Sequence, residues 1–216
     1  MTSSIDENGD SRPTDGAGDV PASYHAILQA AITQFAQKGF EGTRIETVAR
    51  EANFNKALVY RHFSDKQGLF KAALRHKLDE RIRMLPASPI GLDLTSVMFK
   101  YFMETLKDDT YIRMIMSEAM MGEAGVIDDS WRSDYYQKHV GLFRDAQANG
   151  ELPDSIAPDF LLLQITSIIL IPLVFPQISK MVTGYAPESE EFQKRWKIAA
   201  EGLEGVLRQS IGNSQS

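Results

Sequence analysis

The sequence predicts an all-α protein, and three observations support this. Apolar residues recur at helical spacing along most of the chain. We find no convincing alternating segments joined by hairpin Asn-Gly turns, which are typical of β-structure. Glycines and prolines then divide the chain into segments of 10–25 residues. These breaks lie at Gly39, Pro86–Pro89, Gly122–Gly125, Gly150–Pro153, Pro158 and Gly184–Pro187.

The composition excludes several classes of function. The 216 residues include no cysteine, which rules out a disulfide framework and cysteine-based metal or nucleophile chemistry. The four histidines are scattered, without an HExxH or His-x-His pair, so a zinc enzyme is not expected. We therefore expect no metal site and no cofactor.

Charge is distributed unevenly along the chain. Residues 1–22 are acidic and rich in Gly, Ser and Asp, which predicts a disordered tail without the apolar core of a signal peptide. The stretch Pro86–Gly91 is the best domain boundary, between a head at 23–84 and a body at 91–211. Residues 23–83 carry eleven Lys/Arg against six Asp/Glu, a net charge of +5, whereas residues 84–216 carry −7. A basic head on an acidic body favours a module that faces phosphates, although chance clustering of charge could produce the same split.

The head begins with a predicted helix at 24–38, and Gly39 is a natural stop for it. Thr43 and Glu46 have the spacing of a capping box for a short second helix. Asn53 follows where the chain must turn sharply, and asparagine tolerates a left-handed conformation. Asn55 is then a good N-cap for a third helix.

The third helix, from Lys56 to about His62, has two different faces. Val59 and Phe63 can face inward, while the outward positions are Lys56, Ala57, Tyr60 and Arg61. Ser64 to Gln67 reads as another capping box that opens a longer helix through Ile82. A short helix, a tight turn and a basic outer face over about 44–63 predict a helix-turn-helix. An ordinary helical hairpin with a solvated charged face is the alternative.

The residues from Thr43 to Leu69 resemble a known family. The run Val48-Ala49-x-x-Ala52-Asn53-Phe54-Asn55-Lys56-Ala57-Leu58-Val59-Tyr60-Arg61-His62-Phe63-Ser64-Asp65-Lys66 closely resembles the DNA-binding domain of the tetracycline-repressor (TetR) family of bacterial transcription regulators. The family usually has Gly where this chain has Asn53, and Ser or Thr where it has Asn55. Both replacements keep the required turn and capping chemistry.

The resemblance implies a set of DNA contacts. Thr43, Tyr60, His62 and Lys66 are expected to hold the phosphate backbone, and Lys56 and Ala57 to lie where base edges are read. A lysine on the first turn of a groove-bound helix can donate to guanine. The complete expected set is Thr43, Arg44, Asn55, Lys56, Ala57, Tyr60, Arg61, His62 and Lys66. Arg61 can reach either DNA or solvent, and His62 has an alternative role as a polar cap beside Phe63.

The body contains no catalytic motif, but five of its methionines cluster within twenty residues near several aromatic residues. Methionine is frequent on surfaces that accommodate varied apolar ligands, although plain helix core is the alternative. The resemblance also implies a small-molecule sensor, for which we expect an apolar or aromatic effector. The candidates for its pocket are Met98, Phe102, Met116, Met120, Trp131, Tyr135, His139, Gln164 and Ile168.

Two apolar helices are predicted at the end of the chain, over about 158–183 and 188–209. Residues 160–179 carry no charge, but Pro172, Pro176 and several polar residues favour a buried helix over a membrane span. The resemblance implies that both helices form a homodimer, packed as a four-helix bundle. The interface candidates are Leu170, Leu173, Phe192, Trp196, Ala199, Leu203 and Val206.

These expectations combine into one hypothesis. The protein is expected to be a cytoplasmic, ligand-responsive transcriptional regulator, most simply a repressor, that binds palindromic operator DNA as a homodimer. The alternative is a helical small-molecule-binding protein or enzyme whose head makes protein contacts only. The lack of converging titratable residues in the sequence disfavours an enzyme.

Overall fold

The computed structural model describes residues 21–83, 93–122 and 129–213, and every regular element in these ranges is helical, which confirms the all-α prediction. The helices are α1 (Ala22–Gly42), α2 (Ile45–Glu51), α3 (Lys56–Phe63), α4 (Lys66–Ile82), α5 (Leu94–Lys107), α6 (Thr110–Ala119), α7 (Asp129–Ala148), α8 (Pro158–Val174), α9 (Pro176–Thr183) and α10 (Glu190–Asn213). The predicted boundary at 86–91 and residues 1–20 of the predicted tail lie outside the described ranges. Ala22, which we had placed in the tail, begins α1.

The helices α1 to α4 form the head. As predicted, α1 loses helical geometry at Gly39, which has φ 69° and ψ 179°. Just beyond this break, the rings of Phe35, Phe40 and Phe70 pack together, with centroids 4.8–6.2 Å apart. This aromatic cluster fixes the angle at which the chain enters α2.

The turn between α2 and α3 follows the local chemistry of its asparagines. Asn53 adopts φ 61°, and the Asn55 side chain accepts a 2.8 Å hydrogen bond from the Leu58 backbone N–H. The turn and the N-cap were both predicted, and α2 and α3 form the helix-turn-helix.

Both predicted capping boxes are wrong. The Thr43 hydroxyl donates to the Gly39 carbonyl at 2.7 Å, and Arg44 is the residue at the start of α2. Ser64 instead ends α3 at φ 65°, so the N-cap of α4 falls one residue later, on Asp65. In each case, the threonine or serine serves the preceding helix end, which a spacing rule for helix starts does not consider.

The body is built around α5, α7, α8 and α10. At its centre, the Phe102 ring stacks on Trp196 at 4.7 Å and on Phe192 at 6.0 Å. The helix predicted over 158–183 is two helices, α8 and α9, with a 92° bend. Proline disfavours helical geometry in the residue before it, and Phe175 before Pro176 has φ −125° and ψ 62°.

Within the described residues, no helix taken alone has the length and apolar character needed to cross a membrane. Only the bent pair α8 and α9 meets both criteria jointly.

The helix α6 joins the body to the head. Its residues Tyr111, Ile112 and Met114 are buried in the same apolar cluster as the core of α1 to α4. In addition, the Phe40 backbone N–H donates to the Ser117 hydroxyl at 2.9 Å. Because of this hydrogen bond, a movement of α6 also displaces the turn that leads into α2.

Candidate nucleic-acid interface and effector cavity

The outer face of α3 presents the predicted polar residues to solvent. Val59 and Phe63 are buried, whereas Lys56, Ala57, Tyr60 and Arg61 are exposed. Leu58, whose position the sequence left open, is half-buried against the head core. The exposed face of α3 is one helix wide and carries two cationic side chains, Lys56 and Arg61. A single helix of this kind fits a DNA major groove.

In this structure, Lys56 is held by its own neighbours. Its ammonium donates to the Glu46 carboxylate on α2 and lies 5.5 Å from the centroid of the Tyr60 ring. The hydrogen bond lowers the pKa of Glu46 and raises that of Lys56. Both side chains are exposed to solvent, and exposed ion pairs contribute little to stability, so phosphates or bases can compete for Lys56.

The other predicted contacts surround α3. The Lys66 ammonium lies 4.7 Å over the Phe40 ring and donates to the Glu41 carbonyl at 3.3 Å. The His62 ring shares a 3.0 Å hydrogen bond with the Ser23 hydroxyl and meets Tyr24 edge-on. Ser23 and Tyr24 at the beginning of α1 therefore hold the His62 ring in place. These contacts are compatible with the alternative prediction, in which His62 is a polar cap beside Phe63.

Three further residues of the expected DNA-contacting set differ in whether their side chains are exposed and free to contact DNA. Arg44 is exposed at the start of α2, and Asn55 is exposed although its side-chain oxygen caps α3. Thr43 is 2% exposed, and its hydroxyl already bonds the Gly39 carbonyl. Thr43 is therefore not an available phosphate ligand in this conformation. Its hydroxyl, which the resemblance assigns to phosphate contact, already donates its proton to the Gly39 carbonyl in the turn.

The body encloses a cavity of about 130 Å³ between α4, α5, α6, α7 and α8. Most of the wall is apolar, and three of the nine pocket candidates, Met98, Tyr135 and His139, belong to it. The complete lining is Leu78, Arg81, Leu94, Val97, Met98, Tyr101, Tyr111, Ile115, Tyr135, Tyr136, His139, Leu142, Phe143, Leu162, Ile165, Thr166, Ile169 and Leu170.

The remaining six pocket candidates lie elsewhere. Phe102 belongs to the ring stack of the body core, and Trp131 packs on the head core with the Arg75 guanidinium 4.8 Å over its ring. Met116, Met120, Gln164 and Ile168 are exposed, Met120 to 91%. The helix α8 is apolar nearly all round, so its sequence pattern did not show which of its faces meets the cavity.

Sequence reasoning found Tyr135 and His139 in the wall but missed the polar side chains of Tyr101, Tyr111, Tyr136 and Arg81. Tyr101 follows Leu94 and Met98 at helical spacing on α5, and this periodicity could have revealed it. Tyr111 and Tyr136, whose hydroxyls are 3.3 Å apart, come from two different helices. Arg81 comes from α4, which we had assigned to the head, and no sequence signal separates it from the other cations of that helix.

Burial keeps most of the titratable side chains of this wall uncharged at neutral pH, with one exception. Burial raises the pKa of Tyr101 to about 12 and also raises the pKa of Tyr111 and Tyr135. Burial lowers the pKa of His139, whose Nδ1 lies 2.8 Å from the Tyr135 carbonyl and therefore carries the proton. The exception in the lining is the Arg81 guanidinium.

The predicted dimer residues divide between two faces of α8 and α10. Phe192 and Trp196 are buried in the core of their own chain, and Leu170, Leu173 and Leu203 are half-buried against it. Of the predicted set, only Ala199 and Val206 are exposed. The apolar side chains that do face solvent are Phe160, Leu163, Ile168 and Ile171 on α8 and Ile198 and Val206 on α10. The predicted α10 positions were taken from a single apolar side of the helix, and the structure divides that side between the core and the surface.

These features define a class of protein: a DNA-binding transcriptional regulator with a helix-turn-helix head and a helical body. Comparison with known proteins finds similar regulators. The model of bacterial regulatory proteins of the tetR family matches residues 27–73. The HTH-type transcriptional repressor SCO4008 of Streptomyces coelicolor is 29% identical over 170 residues, which are 78% of this chain and 87% of that protein. Further curated relatives match over about half of their length.

Solved structures share the whole fold. SCO4942 of Streptomyces coelicolor, a provisionally assigned transcriptional regulator, superimposes with a TM-score of 0.71 at 21% identity, covering 84% of this chain and 98% of that one. AibR, crystallised with isovaleryl coenzyme A and operator DNA, has a TM-score of 0.62 at 20% identity and covers 86% and 97%. The head of this chain therefore matches the DNA-binding domain of bacterial regulatory proteins of the tetR family over residues 27–73, and the similar solved structures share its helical fold.

Proposed function

We propose that this protein is a ligand-responsive repressor that binds a palindromic operator as a homodimer and releases it when a small molecule occupies the body cavity. One observation carries the proposal: two helices, α4 and α6, both line the cavity and pack in the head. The curated relative SCO4008 is a repressor, and AibR was crystallised with both a ligand and operator DNA. Such a regulator acts in the cytoplasm.

On the DNA side, α3 enters the major groove. Lys56 leaves Glu46 and donates to a base edge, Ala57 offers its methyl group, and Tyr60 and Lys66 contact phosphates on either side. Arg61 lies on the same exposed face and adds positive charge. This arrangement combines sequence readout from one residue with sequence-independent attraction from several.

Dimerisation places two such heads on one operator. The outer faces of α8 and α10 both carry exposed apolar side chains, which are typical of an interface. On α10, Gly202 lies beside Ala199 and Val206 on this face, so the backbone of a second helix can approach closely. A symmetric dimer reads two half-sites about 34 Å apart, one turn of DNA.

The response to a ligand passes through α6 and α4. Tyr111 and Ile115 of α6 line the cavity, and Ser117, half a turn further, bonds the Phe40 N–H in the head. Phe40 in turn supports Lys66. A ligand that prefers a shifted α6 therefore changes the position of the phosphate-contacting residues, and a preference of about 1–3 kcal/mol gives 5- to 150-fold derepression.

A fluorescence anisotropy titration with the DNA upstream of the protein's own gene tests the DNA-binding half. We expect Lys56→Ala to weaken specific binding about 5- to 150-fold, and Glu46→Gln to strengthen binding because it removes the carboxylate that competes for Lys56. Lys138→Ala, which removes an exposed lysine on α7, is the matched control and should change little. If the wild-type protein binds no DNA fragment at low salt, the alternative applies, in which the head makes protein contacts only.

A further inference from the structure

Arg81 is a buried cation in the wall of an apolar cavity. Only 9% of its surface is exposed, and its Nη2 donates to the Thr105 hydroxyl at 2.8 Å. The guanidinium lies 5.4 Å from the Tyr101 ring centroid and 5.2 Å from that of Tyr111. The hydroxyl and the two rings stabilise the cation in part, but none of these groups carries a negative charge.

The acidic groups nearby are engaged with other cations. Asp108 pairs with Lys77 at 2.5 Å, and Glu118 pairs with Arg132 at 2.5 Å. Among the residues that the structure describes, no carboxylate lies within ion-pair distance of Arg81. Asp108 interacts with the Arg81 charge only at longer range, so the cavity wall carries a positive charge without a direct ion-pair partner.

A buried charge without a partner is costly, and a guanidinium offers five N–H donors in a planar fork. Thr105 receives a hydrogen bond from one end of this fork. A carboxylate fits such a fork with two parallel hydrogen bonds, which are roughly twice as strong as neutral ones. The tyrosine and histidine side chains of the wall are neutral, so they do not compete with an anion for Arg81, and tyrosine hydroxyls can donate to it.

The rest of the cavity wall determines the size and the apolar character of the remaining part of the ligand. Apart from Thr166, the other walls of the cavity are leucine, isoleucine, valine, methionine and phenylalanine side chains. The volume of about 130 Å³ is close to the ~150 Å³ of an engineered apolar cavity that takes up benzene. We infer that the effector is a small hydrophobic carboxylic acid, with a body of about one six-membered ring and a carboxylate bound by Arg81. This inference rests on the proposed function, in which the cavity receives the effector.

A purely structural role for Arg81 makes a different prediction. Arg81 lies in the last turn of α4, where the helix dipole favours a cation, and its ring contacts could by themselves justify its position. If so, removing the charge lowers the melting temperature of the ligand-free protein. If Arg81 awaits an anion, Arg81→Met keeps the apolar packing, removes the unpaired charge and leaves the melting temperature equal or higher.

The test compares benzoate with its neutral isostere benzamide, by calorimetric titration of the full-length protein. We expect wild-type protein to bind benzoate at least tenfold more tightly than benzamide, and Arg81→Met to lose that preference while still accepting benzamide. Arg83→Met removes an exposed arginine from the same helix end and is the matched control, which should retain the wild-type preference.

Equal binding of benzoate and benzamide by wild-type protein overturns the inference, and so does a benzoate preference that persists in Arg81→Met. Absence of benzoate binding at millimolar concentration overturns it as well. These results leave the proposed function intact if a neutral compound releases the operator in the anisotropy assay. Conversely, benzoate binding at Arg81 by a protein that ignores all DNA supports the carboxylate site at Arg81 but refutes the repressor, and with it the role of the bound acid as an effector.

Discussion

Replacing Gly39 with alanine tests the contact between head and body. At φ 69° and ψ 179°, Gly39 occupies a backbone region that is nearly exclusive to glycine. A Cβ atom added there would lie 2.5 Å from the Ser117 hydroxyl oxygen and 3.3 Å from the Ser117 Cβ. The same hydroxyl accepts the Phe40 N–H, so the serine cannot move aside without breaking that hydrogen bond.

The expected cost has two parts. Backbone strain of this kind is worth about 1–3 kcal/mol. Displacing Ser117 loses a hydrogen bond worth about 0.5–1.5 kcal/mol. We therefore expect Gly39→Ala to lower the free energy of unfolding by about 2–4 kcal/mol, and to weaken operator binding because the turn before α2 shifts.

Urea unfolding at one fixed protein concentration measures the stability. A double-mutant cycle with Ser117→Ala separates the two parts, since without the hydroxyl the cost of Gly39→Ala should fall to the backbone strain alone. Gly141→Ala on α7 is the control: nothing lies within 4 Å of its added Cβ, and alanine there should stabilise by about 0.4–1 kcal/mol.

Two outcomes would contradict this reasoning. One is a Gly39→Ala variant as stable as wild type. The other is the same cost of Gly39→Ala in the presence and absence of the Ser117 hydroxyl, which would mean that the close approach between head and body contributes nothing.

Three further predictions concern the DNA surface, the dimer and the cavity. Lys66→Met should weaken all DNA sequences alike and reduce the salt dependence of log K by about one unit, measured by anisotropy at several salt concentrations; an unchanged slope would remove Lys66 from phosphate contact. Leu163→Asp places a charge on a side chain that is 60% exposed on the outer face of α8, and sedimentation at micromolar concentration should then show monomer; an intact dimer would refute the interface. Burial lowers the folded-state pKa of His139 from its usual 6.5, so the unfolded chain binds the proton more readily and stability falls as the pH drops below about 6.5. Unfolding at pH 5–7 should show a smaller fall for His139→Gln, and equal pH profiles would exclude His139 as the cause.

The head was predictable because its determinants are local. The two faces of α3, the left-handed turn at Asn53 and the cap at Asn55 depend on residues three or four positions apart, and all three are present. The capping boxes failed for a related reason: Thr43 and Ser64 have alternative local partners, and the spacing rule does not decide between the helix that ends and the helix that begins.

The body was less predictable because its helices are apolar on more than one side. On α10, two neighbouring stripes are hydrophobic, and the pattern did not show that Trp196 faces its own core while Val206 is 63% exposed. The sequence of α8 leaves its orientation equally open, which is why Gln164 and Ile168 were assigned to the cavity and Ile165 and Ile169 were not.

From sequence alone, the helical class, the order of the head helices and the solvent-facing side of α3 could be derived, since each follows from short-range periodicity and hydrogen bonding. Only the tertiary structure decided where the cavity lies, that Arg81 of α4 enters its wall, and that Ser117 meets Gly39 and Phe40. These contacts join residues that are far apart in the chain. Their existence depends on how whole helices pack, a property that no local pattern encodes.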